Sequence, residues 1–510
     1  VDCGMEQGND VYENQELPIA ASDVDCILLT HAHIDHSGLI PLMYVNGFRG
    51  QVYSTSATAQ LCEIMLRDSA HIQMFEAEWR NRKAARSGGK LKEFVPLYDM
   101  DAAVNVCKQF VGCEYDRVYD IAEGIKIRFT DVGHLLGSAS IEVWATEKTE
   151  NGDVTEKIVF SGDIGNINKP IIKDPKHVRD ADYVVMESTY GNRSHGGTPN
   201  YVEDLTDIFK RTFERGGNVV IPSFAVGRTQ ELLYIIRKIK EDNLVGRDFD
   251  VYMDSPLAIE ATNIFIKNVE SCFDDEAVEL VRKGINPLTF PGLKYATTGD
   301  ESKQINFDPN PKVIISSSGM CEAGRIRHHL KHNLWRPECT IVFVGYQAVG
   351  TTGRIIVDGA EEIKLFGEPV QIKAEIVQLQ GSSGHADKDG LLCWINAFDR
   401  KPKKVFVVHG EDSVCDEFTE CLKEEYGYDA MAPYTGGSYD LIADRVISEG
   451  VKERKTRRTT STQRGKTVFD RLVAAGKRLM TVITHNEGGT NKDLAKFTDQ
   501  INALCDKWDR

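Results

Sequence analysis

The sequence has no apolar run long enough to cross a bilayer, no C-x-x-C pair and no excess of basic residues. Each absence removes a class of protein. Without a stretch of about twenty apolar residues the chain is not expected to sit in a membrane. Twelve cysteines scattered without regular spacing over 510 residues argue for reduced thiols in a cytoplasm, not a disulfide framework. A formal net charge of -16 excludes a protein that coats nucleic acid over its whole surface, because counterion release rewards clustered Lys and Arg. Any nucleic-acid contact is therefore expected in a local cleft. The opening VDCGMEQG has no initiator Met and starts within a strand-like run, so upstream sequence is expected to be missing, and a signal peptide there stays open.

What is present is the composition of a folded chain, 41% hydrophobic and 27% charged, too long for one ordinary core. Two domains and an appendage are the expectation. The densest chemistry lies in CILLTHAHIDHSG, residues 26 to 38, where three histidines and an aspartate crowd into six positions after a buried-strand pattern. With thirteen histidines in 510 residues, H-x-H-x-x-H is expected by chance roughly 0.01 times. His31 and His33 lie two apart, so extended backbone can aim both rings to one side; Asp35 and His36 follow, placed to serve a neighbouring metal. Imidazole and carboxylate are ligands that Zn²⁺ accepts, and two such ions about 3.5 to 4 Å apart activate water for attack on phosphorus or a carbonyl.

Further candidates each follow a strand-like run: His134 in IKIRFTDVGHLLGSAS, Asp163 in EKIVFSGDIGN and His409 in KKVFVVHGEDS. Carboxyl ends of several strands converging on one sheet edge are where α/β folds build sites. Taken singly each is an ordinary capping or core polar residue; the cluster at 31 to 36 gives them a common purpose.

VDCG, THAHIDHSG, GHLLGSAS and FSGDIGN together resemble the metallo-β-lactamase superfamily. ESTYG at 187 to 191, SSGHAD at 382 to 387 and VVHGE at 407 to 411 are similar to the signature motifs of its β-CASP branch, nucleases that include ribonuclease J and the mRNA 3′-end cleavage endonuclease. The resemblance covers residues 1 to 446 and implies an αββα sandwich with an inserted parallel α/β β-CASP domain. It implies two zinc ions, one bound by His31, His33 and His134, the other by Asp35, His36 and His409, with Asp163 bridging. Asp2 is implied as a partner orienting a ligand, and His385, steadied by Glu187, as the group that touches the scissile phosphate or serves as general acid; Asp35 is counted with them among the catalytic residues. Histidine at 409 is the pattern of RNA-processing members, where DNA-repair members usually carry valine, so RNA, expected single-stranded, is the implied partner. Independently of any family, a histidine outside the metal shell is well suited to protonate a leaving group near neutral pH.

Residues 1–198 and 372–446 are expected to form the metallo-β-lactamase domain, 199–371 the β-CASP domain and 447–510 a basic linker with a helical extension. Within the insertion, RTQELLYIIRKIKED places Leu232, Ile235, Ile236 and Ile239 on one helical face. Its turns offer phosphate-holding groups: Arg228, the SSSGM turn with Ser317, Ser318 and Gly319, and the GTTGR turn with Arg354. His328, His329 and His332 have metal-like spacing but share their helix with Arg325, Arg327 and Lys331, and read as a solvated basic face. Residues 452 to 466 hold seven Lys or Arg and one Glu, a solvated linker or a phosphate-touching arm. Leu494, Phe497, Ile501, Leu504 and Trp508 make a short heptad-like stripe that leaves a homodimer open.

The leading expectation is a two-zinc ribonuclease using metal-held hydroxide, with His385 as acid. The alternatives are a small-molecule hydrolase acting on thioesters or lactones, against which the large insertion and His385 argue, and a non-catalytic RNA-processing scaffold, against which the complete set of seven ligands argues.

Overall fold

The computed structural model describes residues 1–6, 14, 17–86, 94–150, 152–194, 196, 200–379, 383–452, 468–486 and 490–508. Ser382 and all of the basic run but Lys452, residues 453 to 466, lie outside them.

Two sheets face each other in the first domain. A seven-stranded sheet runs in the order Ala430–Met431, Lys404–Val408, Tyr183–Glu187, Gly152–Phe160, Ala139–Thr149, Ile125–Asp131, Val118–Ala122. A parallel three-stranded sheet holds Cys26–Leu28, Gln51–Thr55 and Phe110–Cys113. Alternation along Ile125–Asp131 turns Ile127 and Phe129 inward, where they pack with Ile141, Val143, Leu28 and Cys113 between the sheets. Helix Ser56–Arg86 buries Leu61, Cys62 and Leu66 on the outside of one sheet. Helices Lys388–Ile395 and Asp412–Glu424 cover the other, setting Leu391, Trp394 and Phe418 against Val184, Val405 and Val407. The layers are α, β, β, α.

The insertion is a six-stranded, all-parallel sheet in the order Leu293–Tyr295, Asp250–Asp254, Lys312–Ser316, Val219–Pro222, Thr340–Phe343, Glu375–Gln378. Helix Arg228–Glu241 buries Leu232, Ile235, Ile236 and Ile239, as the spacing predicts, and Leu233 and Tyr234 besides, because it is packed on more than one side. Two sequence expectations need correction. Glu375–Gln378, read as the resumption of the first domain after residue 371, pairs with Thr340–Phe343 at the edge of the inserted sheet. Periodicity announces a strand and says nothing of its partner. The helix Ile326–Asn333 is not a wholly solvated face: His329 is buried between Asp254 (Nε2 to Oδ2, 2.6 Å) and Asn306 (Nδ1 to Oδ1, 3.0 Å). Asp254 also draws in Arg325 at 2.7 Å.

The two cores are continuous through Leu135, Leu136, Ile171 and Ile172 of the first domain and Phe265 and Phe273 of the insertion. Beyond the sandwich come helices Val468–His485 and Asn491–Trp508. On the latter Leu494, Phe497 and Ile501 are half-buried, whereas Leu504 and Trp508 are exposed. No described helix is long and apolar enough to cross a membrane.

Candidate active site

The strands deliver their next residues to one edge. His31 follows Cys26–Leu28, His134 follows Ile125–Asp131, Asp163 follows Gly152–Phe160, Glu187 ends Tyr183–Glu187, and His409 follows the adjacent parallel strand Lys404–Val408, whose Val408 lies opposite Glu187. Backbone bonds strap the loops together. Ala386 N donates to Ile164 O at 2.7 Å and Asn166 N to Gly384 O at 3.2 Å, so the segment carrying His385 lies against the one carrying Asp163.

Asp163 is the hub, buried to 1% exposure. Its Oδ2 stands 3.4 Å from His31 Nε2 and 3.5 Å from His134 Nε2; its Oδ1 stands 3.2 Å from His36 Nε2 and 3.3 Å from His409 Nε2. His33 Nδ1 completes the first group, 3.0 Å from His31 Nε2 and 3.2 Å from His134 Nε2. The exposed carboxylate of Asp35 falls with His36 and His409 in the second. Four tetrahedral ligands at about 2.0–2.1 Å from a zinc lie roughly 3.3–3.4 Å from one another, and the first group has that spacing. His36 Nε2 and Asp163 Oδ1 are buried without a hydrogen-bond partner among the described residues, despite their proximity. Atoms so placed fit a shared cation.

The outer ring nitrogens are already committed, which fixes the inner ones as acceptors for a cation. His36 Nδ1 donates to Asp2 Oδ2 at 2.7 Å and His134 Nδ1 to Gly384 O at 3.2 Å. His31 Nδ1 donates to Thr30 Oγ1 at 3.0 Å, and that hydroxyl passes its own proton to Asp2 Oδ2 at 2.9 Å. Asp2 thus orients two ligands, one of them through Thr30, a residue the sequence reading missed because a threonine beside a histidine carries no signal. Burial pushes His31, His33 and His134 below the ordinary imidazole value, the neutral form a cation needs. His36 goes the other way: burial lowers it, but Asp163 and Asp2 outweigh burial and draw it up, so a proton competes with metal there.

His385 lies beside both ligand groups. Its Nδ1 is 3.3 Å from Glu187 Oε2 and 3.9 Å from Asp163 Oδ2, and its side chain is 22% exposed. Glu187, almost fully buried, accepts from Ile164 N and Thr189 N, which fixes its carboxylate toward His385.

Close backbone approach sets these positions. A Cβ on Gly165 would stand 1.9 Å from the carbonyl oxygen of Gly133, beside His134, and one on Gly4 would stand 1.5 Å from that of Asp35. Backbone cannot move aside as a side-chain tip can. Gly165→Ala is expected to cost about 1–3 kcal/mol by overpacking and to lower bound metal, checked by thermal melting with elemental analysis.

The expected phosphate-binding residues fare unequally. Arg228 opens helix Arg228–Glu241 and pairs with Glu231 at 2.5 Å, close to the His134 loop. Gly319 is covered by Phe224, and Ser317 Oγ bonds Ser255 Oγ. Ser318 Oγ donates to Ala323 O and accepts from Ala323 N, each at 3.4 Å. Arg354 pairs with Asp358 one turn along its own helix, at 2.8 Å. Glu231 and Lys169, which join the two domains beside His134, were missed: the first lay three residues past Arg228 in RTQELLYIIRKIKED, the second in an ordinary loop.

Three family models match the chain: a metallo-beta-lactamase superfamily domain over residues 1–166, a Beta-Casp domain over 229–356 and a Zn-dependent metallo-hydrolase RNA specificity domain over 369–433. A ribonuclease of Thermus thermophilus is 34% identical over 413 residues, 81% of this chain and 87% of that protein. The transcription termination factor FttA of Methanosarcina mazei is 32% identical over 448 residues, covering 85% of this chain but only 66% of the factor. An RNase J-like protein of Methanocaldococcus jannaschii is 30% identical over 416 residues, 81% of this chain and 86% of its own length.

Proposed function

The chain belongs to the β-CASP branch of the metallo-β-lactamase superfamily, and from that premise we propose that it is a two-zinc ribonuclease cutting single-stranded RNA to leave a 3′-hydroxyl and a 5′-phosphate. The observation that carries the reading is Asp163, a buried carboxylate each of whose oxygens faces two imidazoles. His31, His33, His134 and Asp163 would hold one ion, and Asp35, His36, His409 and Asp163 the other. Ions held there supply Lewis acidity and water activated near neutral pH. The matched RNA specificity domain and the ribonuclease name of the Thermus relative favour RNA. We assign the cap over the site to the inserted domain, beginning near residue 199, and place the return to the first domain after Glu375–Gln378.

The chain's own part is orientation and proton transfer. Burial opposes the charged form of His385, but Glu187 and Asp163 outweigh it and push its pKa up to about 9. The imidazolium is therefore the standing form at neutral pH and holds a proton for the leaving 3′ oxygen. A raised pKa keeps the acid loaded below about 9 and empties it above, so turnover should fall as pH rises through about 9. Glu187→Gln should move that limb to lower pH, a shift read directly from a pH–rate profile. A limb that stays in place would assign the proton elsewhere.

The test is end-labelled single-stranded RNA incubated with the purified protein, with and without chelator. Cleavage lost with chelator and restored by zinc is expected, and the fragment lengths separate internal cuts from stepwise trimming. Inert RNA beside a hydrolysed thioester would replace this reading with a small-molecule hydrolase.

A further inference from the structure

The loop that leaves the strand Tyr183–Glu187 carries two side chains that the mechanism above does not use, Tyr190 and Arg193. The Tyr190 ring lies 6.1 Å from the His385 imidazole, centroid to centroid, and the Arg193 guanidinium lies over the face of that ring, Cζ 4.6 Å from its centroid. An exposed arginine therefore stands one ring away from His385. The loop beneath it is pinned. Gly191 N donates to Ser188 O at 2.9 Å, Arg193 N to Tyr190 O at 3.2 Å and Lys388 N to Arg193 O at 3.1 Å, while Ser194 Oγ donates to Asp389 Oδ2 at 3.0 Å. Gly191 sits so close to Phe418 that a Cβ there would meet that side chain at 2.8 Å.

Three features suit this arginine to an anion. A guanidinium stacked on an aromatic face keeps its N–H donors in its own plane, pointing outward, and that rigid fork matches the oxygens of a phosphate. Among the described residues no carboxylate forms an ion pair with Arg193, although the chain holds 77 Asp and Glu against 61 Lys and Arg. The exposed Arg80, Arg82 and Arg117, by contrast, each pair with a glutamate within four residues. Stacking on Tyr190 and the backbone bonds on either side also restrict the side chain before any ligand arrives, so less freedom is lost on binding. With His385 facing the leaving oxygen, the ring contact puts the fork on the leaving-group side of the cut. A phosphodiester strand brings a negative charge with acceptor oxygens at every step, and it meets this open rim without having to enter a closed cavity.

We propose that Arg193, held against the Tyr190 ring, binds an internal phosphate of the substrate strand on the leaving-group side of the cut, with Tyr190 as its positioning residue. This rests on the ribonuclease reading.

The test is the salt dependence of binding by the full, zinc-loaded chain carrying His385→Ala to slow cleavage, with labelled single-stranded RNA oligonucleotides bearing either a 5′-hydroxyl or a 5′-phosphate as probes. Losing one phosphate contact should flatten the slope of log affinity against log salt by about 0.7 for a single strand. Arg193→Gln is expected to do so with both oligonucleotides and to weaken binding about 10-fold at low salt, with zinc content unchanged. Arg193→Lys, which keeps the charge and loses the fork, should keep the slope and weaken binding less. Tyr190→Leu should weaken binding, and Tyr190→Phe, which keeps the ring, should restore it. Arg400→Gln, before the start of the strand Lys404–Val408 whose other end leads to His409, removes an exposed charge and should leave the slope unchanged. In the chain that keeps His385, Arg193→Gln should raise KM while kcat stays within about twofold. An unchanged slope in Arg193→Gln overturns the proposal, as does an effect confined to the 5′-phosphate oligonucleotide, to kcat or to zinc content; Tyr190→Phe binding as weakly as Tyr190→Leu, or Tyr190→Leu binding fully, overturns the part given to the ring. RNA that fails to bind even with Arg193 intact would instead overturn the ribonuclease reading.

Discussion

Asp163→Ala should empty the site of metal and, with it, of activity. The carboxylate faces both ligand groups, its Oδ2 toward His31 and His134 and its Oδ1 toward His36 and His409. Removing it leaves five imidazoles and the single exposed carboxylate of Asp35 to hold two dications, with nothing shared between the groups. Losing even an outer partner of a metal ligand commonly costs 10–100-fold in affinity or activity, so loss of the bridging group should exceed about 100-fold. Bound zinc should fall well below one ion per chain by elemental analysis. The same preparation should stay folded, since Asp163 sits at a loop and the apolar packing of Val159, Ile164 and Val184 is untouched. Zinc content equal to that of the unaltered protein would remove Asp163 from the ligand set.

His385→Ala separates chemistry from metal binding. The side chain stands outside both ligand groups, 3.9 Å from Asp163 Oδ2, and its loop is held by backbone bonds that alanine keeps. Metal content should therefore be unchanged while turnover falls by about 10²- to 10⁴-fold, the usual worth of a positioned acid. KM should change much less than kcat, and the alkaline limb near pH 9 should disappear with the imidazole. Full turnover in this variant would place the proton donor elsewhere, with Tyr190, whose ring centroid is 6.1 Å from that of His385, the next residue to examine.

How far the sequence led depended on whether a residue's role is local. His31, His33, Asp35 and His36 announce themselves because four potential ligands in six positions have no ordinary use. His134, Asp163 and His409 are single polar residues after strands; only the shared pattern of strand ends, with the likeness of the motifs, ties them to the first cluster, and in the structure His134 and Asp163 fall with His31 and His33, and His409 with Asp35 and His36. Residues whose role is made by distant partners stayed hidden. Thr30 matters because Asp2, 28 residues away, shares its hydroxyl. His329 looked solvated among Arg325, Arg327 and Lys331 because its partner Asp254 is 75 residues distant. Glu375–Gln378 was recognisable as a strand, yet a parallel edge is chosen by packing and register, which no window of residues contains. Arg354 had the right chemistry for phosphate but also an aspartate one turn away, and the nearer charge took it.

The proposed chemistry requires two divalent ions sharing Asp163. Diffraction from crystals grown with zinc, recorded on both sides of its absorption edge, tests this most directly. Two anomalous peaks about 3.5–4 Å apart, one beside His31, His33 and His134 and the other beside Asp35, His36 and His409, are the predicted result. A single peak, or peaks away from Asp163, would contradict it.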